Sequence, residues 1–471
     1  MGKIWEFDPF DKDAAIIDEY GNQMTYEALN AESYGLAEKT GSRCLVFCLC
    51  RNEIGSVLGY VGFINHGIVP VLLNSRLEEG LLENLLETYK PSYLWVPKDQ
   101  IGRFPGREFR YEVYRYVLLK TDYERNYPLH EELALLLTTS GSTGSPKFVR
   151  QSYTNVLHNA RSIATYLELS SSERPITTLP MNYTYGLSII NSHFLVGATL
   201  LVTEKTLMQK EFWAFFKERG ATSFGGVPYT YEILDKLRFY GMNLPSLGTM
   251  TQAGGKILPE LHERFAKYAE ESGRKFVVMY GQCEATARMG YLPPERAVEK
   301  NSSMGIAIPG GSFRLIDVNG NEIKEPYTTG ELVYEGENVT LGYAERGEDL
   351  AGGDERRGIL ETGDMAQFDE DGYYYIVGRK KRFLKIYGNR VNLDEVDRII
   401  QSEFGIEAAS AGVDDHMYIF VTDEKFIKPV RSFVVNKTGL NPVAFKVLFI
   451  GEIPKNDSGK TLYKELAKYY V

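Results

Sequence analysis

The stretch Leu133-Ala-Leu-Leu-Leu-Thr-Thr-Ser-Gly-Ser-Thr-Gly-Ser-Pro-Lys147 decides the reading of this chain. Its first five residues form an unbroken apolar run, which suits a buried strand. The loop that follows is made of hydroxyls and glycines and ends in a cation. Gly141 and Gly144 allow φ > 0 and let a ligand approach the backbone. Thr138, Thr139, Ser140, Ser142, Thr143 and Ser145 add hydroxyl donors to the free amides, and Lys147 closes the set. Donors of this kind suit polyphosphate oxygens. The spacing is G-x-x-G-x-x-K and not the G-x-x-x-x-G-K-[ST] of a Walker loop, which sets kinases and P-loop NTPases aside. Read alone, the segment is either a phosphate cradle or a polar surface loop.

Upstream of the loop, strands and helices alternate. Residues 14–38 read as a strand, a turn at Gly21-Asn22 and a helix capped by Thr25. Strands are expected at Cys44–Cys50, Val69–Leu73 and Tyr93–Val96, with helices at Ile54–His66 and Leu77–Tyr89 between them. That alternation makes right-handed βαβ units and a mainly parallel sheet. Arg103–Arg125 reads only as a charged, tyrosine-rich connection. After the loop, Phe148–Gln151 returns as a strand and Ser152–Leu169 as a helix.

A chain of 471 residues buries more than one core, so two or more domains are expected. Its 53 Lys and Arg against 63 Asp and Glu argue against nucleic acid as the main partner, since no basic surplus displaces counterions. From Arg379 onward, however, 16 basic residues face 12 acidic ones, which suits an anionic partner there. The opening Met-Gly-Lys-Ile-Trp-Glu has no apolar signal core, and no window approaches membrane-spanning length without charge. Cys44, Cys48 and Cys50 lie in one apolar run and read as buried free thiols. A soluble cytoplasmic protein without a membrane partner is expected.

Further segments follow in order. Thr177–Gly186 ends Pro-Met-Asn-Tyr183-Thr-Tyr185-Gly, either a pocket wall or a packed aromatic loop. Phe224-Gly225-Gly226-Val-Pro precedes a helix expected at Tyr231–Phe239, and Thr-Gln-Ala253-Gly254-Gly255-Lys256 leads into one with Pro259 in its first turn. Phe276–Tyr280 is an apolar strand, with Gly281-Gln282-Cys283-Glu284 at its carboxyl end, where open α/β sheets bind ligands. Ser302-Ser-Met304-Gly continues the series. Ala366–Phe368 and Tyr373–Val377 flank a hairpin turn at Glu370-Asp371-Gly372. Pairing about Asp371 sets Asp364 opposite Gly378, with Arg379 beside it. Such a pair grips ribose hydroxyls well, though alone it reads as a salt bridge. Gly378–Arg390 is strongly basic and runs into an Asn392-x-x-Glu395 capping box and a helix at Leu393–Phe404. Pro454-Lys-Asn-Asp-Ser-Gly-Lys460 closes the series.

In this order the segments resemble those of the acyl-adenylate-forming superfamily: acyl-CoA synthetases, carrier-protein ligases, peptide-synthetase adenylation domains and luciferases. The resemblance covers nearly the whole chain. It implies an α/β fold in which residues 1–377 form a large domain of βαβ subdomains plus a β-barrel subdomain. Residues 378–382 would be a hinge and 383–471 a small mobile α+β lid. Thr138–Gly144 and Lys147 would hold phosphates, and Ala253, Gly254, Gly255, Tyr280, Gly281, Gln282 and Cys283 the adenine side. Glu284 would bind Mg²⁺, while Asp364 and Arg379 grip the ribose and Arg390 faces a phosphate. Lys381 would be the pivot and Lys460 the catalytic lysine. Tyr183, Tyr185, Gly225, Gly226, Gly254 and Met304 would line the acyl pocket.

The sequence departs from the pattern at Cys283, where Thr is usual, and at Ser302, a usual glycine expected to narrow the pocket. It departs again at Arg382, often an acid. The absence of an acid among Asn182–Tyr185 disfavours an α-amino acid, whose ammonium would lack a partner. The neutral residues there permit an uncharged acyl or aryl group. The implied reaction is ATP-dependent activation of a carboxylic acid as acyl-AMP, with transfer to CoA. A carrier-protein phosphopantetheine arm is the alternative acceptor, and a non-catalytic nucleotide-binding regulator is the reading from another class.

Overall fold

A computed structural model describes residues 3–10, 12–124, 126–138, 147–387, 389–455 and 461–470, the side chain of Arg390 excepted. The chain divides into two compact units, Met1–Phe313 with Tyr334–Leu360, and Arg314–Val333 with Glu361–Val471.

The first unit holds two large sheets. One has eight strands in the order Gly342–Ala344, Phe148–Ser152, Leu133–Thr138, Val69–Asn74, Leu45–Cys50, Tyr93–Pro97, Tyr116–Lys120 and Glu108–Val113. Its central pairs are parallel, as the βαβ reading requires. The other has nine strands, with Lys275–Tyr280, Thr249–Gln252, Ser223–Gly226 and Pro175–Ile176 side by side and parallel. Between the sheets lie the helices Ile54–Asn65 and Thr184–Leu195, buried along almost their whole length. Their side chains share one apolar core with strand residues from both sheets, among them Val46, Leu135, Ile16 and Leu200. Inside that core the Tyr60 hydroxyl donates to Asn191 Oδ1 at 2.9 Å, so the one polar pair between the helices is satisfied.

Helix ends follow local chemistry. Thr25 accepts from the Ala28 amide, and Ser152 and Asn155 exchange bonds in a full capping box. Asn392 caps Leu393–Phe404 by accepting from Asp394 and Glu395, but no Glu395 bond returns, so the expected box is a one-way cap. The helix expected at Tyr231–Phe239 starts earlier, at Pro228, because proline suits the first helical position. Arg103–Arg125 is not a bare connection. It contains the hairpin Glu108–Val113 and Tyr116–Lys120 at the sheet edge, whose outer strand is mostly exposed and hence polar.

A five-stranded sheet, most of whose residues belong to the second unit, runs in the order Glu322–Ile323, Gly311–Ile316, Gly330–Gly336, Ile359–Phe368 and Tyr374–Arg379, where a β-barrel subdomain was expected. Beyond Arg379 come a two-stranded ribbon, Phe383–Ile386 with Asn389–Asn392, and a three-stranded sheet covered by Leu393–Phe404 and Ile427–Thr438. The expected hinge, 378–382, lies within this unit. No helix among the described residues is long and apolar enough to cross a membrane. The four cysteines are free and buried.

Candidate active site

The carboxyl ends of Leu133–Thr138 and Lys275–Tyr280 lie close together. The Cys283 thiol, just past the second strand, points to the Thr138 carbonyl at 3.9 Å, a weak donation where a threonine hydroxyl would be stronger. Gly281 is obligatory, since a Cβ there would lie 1.6 Å from the Ala287 carbonyl oxygen. Tyr280 is half-buried, with its hydroxyl accepting from Gln282 at 3.2 Å and its ring edge-on to Phe313.

Lys147 and Glu284 meet at a residue the sequence did not single out. The Tyr343 hydroxyl donates to Glu284 Oε1 at 2.7 Å. Lys147 Nζ lies 3.6 Å from the centre of the Tyr343 ring, and the Arg356 guanidinium 4.6 Å from it. Arg356 also donates to the Glu284 carbonyl. Burial and the Glu284 carboxylate push the Tyr343 phenol up to about 12, so it stays a donor at neutral pH. One ring thus fixes a carboxylate at its tip and two cations at its faces. The only acid paired with Lys147 is Glu345, at 3.5 Å among the described residues. Glu345 is two-thirds exposed, so this pair contributes at most about 1 kcal/mol and yields readily to a polyphosphate.

Several of the residues expected at the acyl pocket lie near one another. Tyr183 and Tyr185 stand edge to face, 6.4 Å apart. The Tyr185 hydroxyl shares a hydrogen bond with Thr251 Oγ1 at 2.7 Å. A Cβ on Gly225 would press on Tyr185 and Ile189, and one on Gly254, which has φ +85°, would meet the Tyr183 hydroxyl at 2.5 Å. Gly226 backs onto Thr230, Gly255 onto Pro228, and Ala253 is buried with its amide on the Gly226 carbonyl. Met304 is buried as well. Ser302 does not narrow this pocket. It takes φ +69°, the conformation its usual glycine would have, and its bonds go to His262 and Asn301.

In the second unit the hairpin carries Asp364 and Arg379 with one correction. Ala366–Phe368 pair about Asp371 as expected, but a bulge between Met365 and Ala366 shifts the register by one residue. Arg379, not Gly378, therefore stands opposite Asp364, and its Nε lies 2.7 Å from Asp364 Oδ1. The carboxylate is buried and the guanidinium more than half exposed, so the pair is anchored on the acid side. Lys380 pairs with Glu331 at 2.5 Å, and Lys381 is exposed. Arg382 reaches Asp394 and Asp397, both at 2.8 Å. Thr139, Ser140, Gly141, Ser142, Thr143, Gly144 and Lys460 lie outside the described residues, as does the Arg390 side chain.

A family model for AMP-binding enzymes matches residues 7–344. The chain belongs to the AMP-binding enzyme family. This AMP-binding enzyme is 26% identical over 480 residues to 2-succinylbenzoate–CoA ligase of Bacillus pumilus (strain SAFR-032), covering 97% of this chain and 92% of that one. It is 28% identical over 368 residues to oxalate–CoA ligase of Arabidopsis thaliana, covering 74% and 69%. Its fold is like that of O-succinylbenzoate coenzyme A synthetase from Bacillus subtilis, solved in complex with AMP, with a TM-score of 0.80 at 22% identity over 98% and 96% of the two chains.

Proposed function

We propose that this AMP-binding enzyme is an ATP-dependent, AMP-forming acid–CoA ligase. The observation that carries the proposal is the Tyr343 cluster, which gathers Lys147, Arg356 and the Glu284 carboxylate around one ring. Two cations beside a single carboxylate suit a triphosphate with its divalent ion. No cluster of three acidic, histidine or cysteine residues is present among the described residues, so Mg²⁺ would take Glu284 and complete its shell with phosphate oxygens and water. That ion, when bound, offsets phosphate charge.

In the first step a carboxylate oxygen of the acid attacks the α-phosphorus and the bond to pyrophosphate breaks. Lys147 and the hydroxyls of Thr138–Ser145 hold the departing pyrophosphate, and Tyr280 lies along adenine. Asp364 and Arg379 take the ribose hydroxyls, and Lys460 carries the cation that steadies charge developing between carboxylate and phosphate. In the second step the thiol of CoA loses its proton and attacks the acyl carbon, forming the thioester as AMP leaves. Residues 1–377 are the adenylating domain, and 383–471 a lid that turns about Lys381 between the steps. A phosphopantetheine arm on a carrier protein offers the same thiol. Names of relatives with CoA ligase activity support CoA as the acceptor. Four buried free thiols support a cytoplasmic setting. The acceptor is tested by offering free CoA and a loaded carrier domain with the same acid. Thioester on CoA supports the proposal, and thioester on the carrier alone overturns its acceptor.

A further inference from the structure

Arg288 is 2% exposed. The chain reaches it through Thr286 and Ala287, both at positive φ, +52° and +93°. Left-handed backbone is unfavourable at a β-branched residue. The turn is held by the Thr286 hydroxyl on the Asn338 carbonyl, and by Asn338 Nδ2 on the Ala285 and Arg288 carbonyls. It sends the Arg288 side chain inward, over the Tyr185 ring at 5.3 Å. Nε donates to Ser188 Oγ, and Nη1 to the Tyr166 hydroxyl and the Met279 sulfur. All three acceptors are neutral. Among the described residues no carboxylate lies within ion-pairing distance.

A buried guanidinium without a counter-ion is costly, because no opposite charge offsets its lost hydration. By comparison, the other deeply buried arginine of this unit, Arg150, has Glu355 at 2.5 Å. The uncompensated charge borders a cavity of about 10 Å³ shared with Gly225, Thr251 and His193. The room there is about that of one water.

We propose that Arg288 is the specificity residue of the acyl pocket, and that the acid activated carries a second anionic group, of the dicarboxylate class. This rests on the ligase reading above and replaces the uncharged acyl group expected from the loop sequence. The bound tail supplies the counter-ion the fold omits.

The test compares short dicarboxylic acids, of two to six carbons, with their monomethyl esters by pyrophosphate release from ATP with the full chain. The wild type is expected to favour the best diacid over its half ester by about 100-fold in kcat/KM, because an unpaired buried polar group strongly rejects the wrong substrate. Arg288→Met is expected to bring that ratio near one, and Arg288→Lys to keep part of it. A merely structural arginine would lower both rates and leave their ratio unchanged, which would overturn the proposal. Release with uncharged monocarboxylic acids only would overturn it while leaving the ligase standing, and release with no acid would overturn both. Should Arg288→Met not fold, the wild-type ratio decides alone.

Discussion

Each unit contains a tyrosine with a cation over its ring and an acid at its hydroxyl, and the two clusters serve opposite ends. In the first unit Tyr343 lies under Lys147 and Arg356, with Glu284 at its hydroxyl. In the second, the Arg382 guanidinium lies 3.5 Å from the Tyr463 ring centre, and the Tyr463 hydroxyl is 3.3 Å from Asp397. Arg382 there has two carboxylates and the Ser410 carbonyl as partners and is 11% exposed. Burial pushes Asp397 up to about 7, against the pull of Arg382. Lys147 is 32% exposed and holds only a solvent-facing glutamate. The buried cluster fastens the basic run to the helix Leu393–Phe404, whereas the open one leaves cations available for a ligand. The comparison also accounts for Arg382 where the family often has an acid: its charge is consumed inside its own unit.

The largest expected effect comes from the buried Arg382 cluster. Arg382→Met would leave Asp394 and Asp397 without their cation and should cost about 3–5 kcal/mol, read by urea denaturation of the full chain. A loss below 1 kcal/mol would mean the cluster is not dry. Next, Tyr343→Leu should lower kcat/KM for acid-dependent pyrophosphate release by about 100-fold, through lost placement of Lys147 and Glu284, while leaving the urea midpoint within the range of ordinary surface changes. Tyr343→Phe keeps the ring and drops the hydroxyl, so about tenfold is expected from one charge-assisted bond. Equal effects of the Leu and Phe variants would show that the cations do not depend on the ring.

The smallest effect asks whether the interior of the first unit beside His193 is dry. Burial lowers His193 to about 4, below the ordinary 6.5 it regains on unfolding. Its folded pKa being the lower one, the unfolded state binds the extra proton. Stability is therefore full above about pH 6.5 and is lost as pH falls toward 4. His193→Gln should flatten the fall in Tm between pH 6.5 and 4, and an unchanged slope would place water at the imidazole.

Much of this was legible from residues alone. The strands and helices before Lys147 follow apolar periodicity, and Thr25, Ser152 and Asn392 mark helix starts by side-chain chemistry. The hairpin centre at Asp371 was also readable, but the bulge that brings Arg379 opposite Asp364 leaves no compositional mark. Tyr343 was hidden because it lies 59 residues from Glu284 and meets it only through pairing of Gly342–Ala344 with Phe148–Ser152. Arg288 was hidden for a different reason. Left-handed turns are signalled by glycine or asparagine, and here Thr286 and Ala287 make one, so nothing local announces that the next side chain points inward.

Acid-dependent exchange of labelled pyrophosphate into ATP tests the central claim most directly, because only reversible cleavage at the α-phosphate returns the label. The full chain with a carboxylic acid it accepts, and no thiol, is expected to incorporate label at a rate that vanishes when the acid is omitted. Cleavage of ATP to ADP, with no label entering ATP for any acid tried, would contradict it.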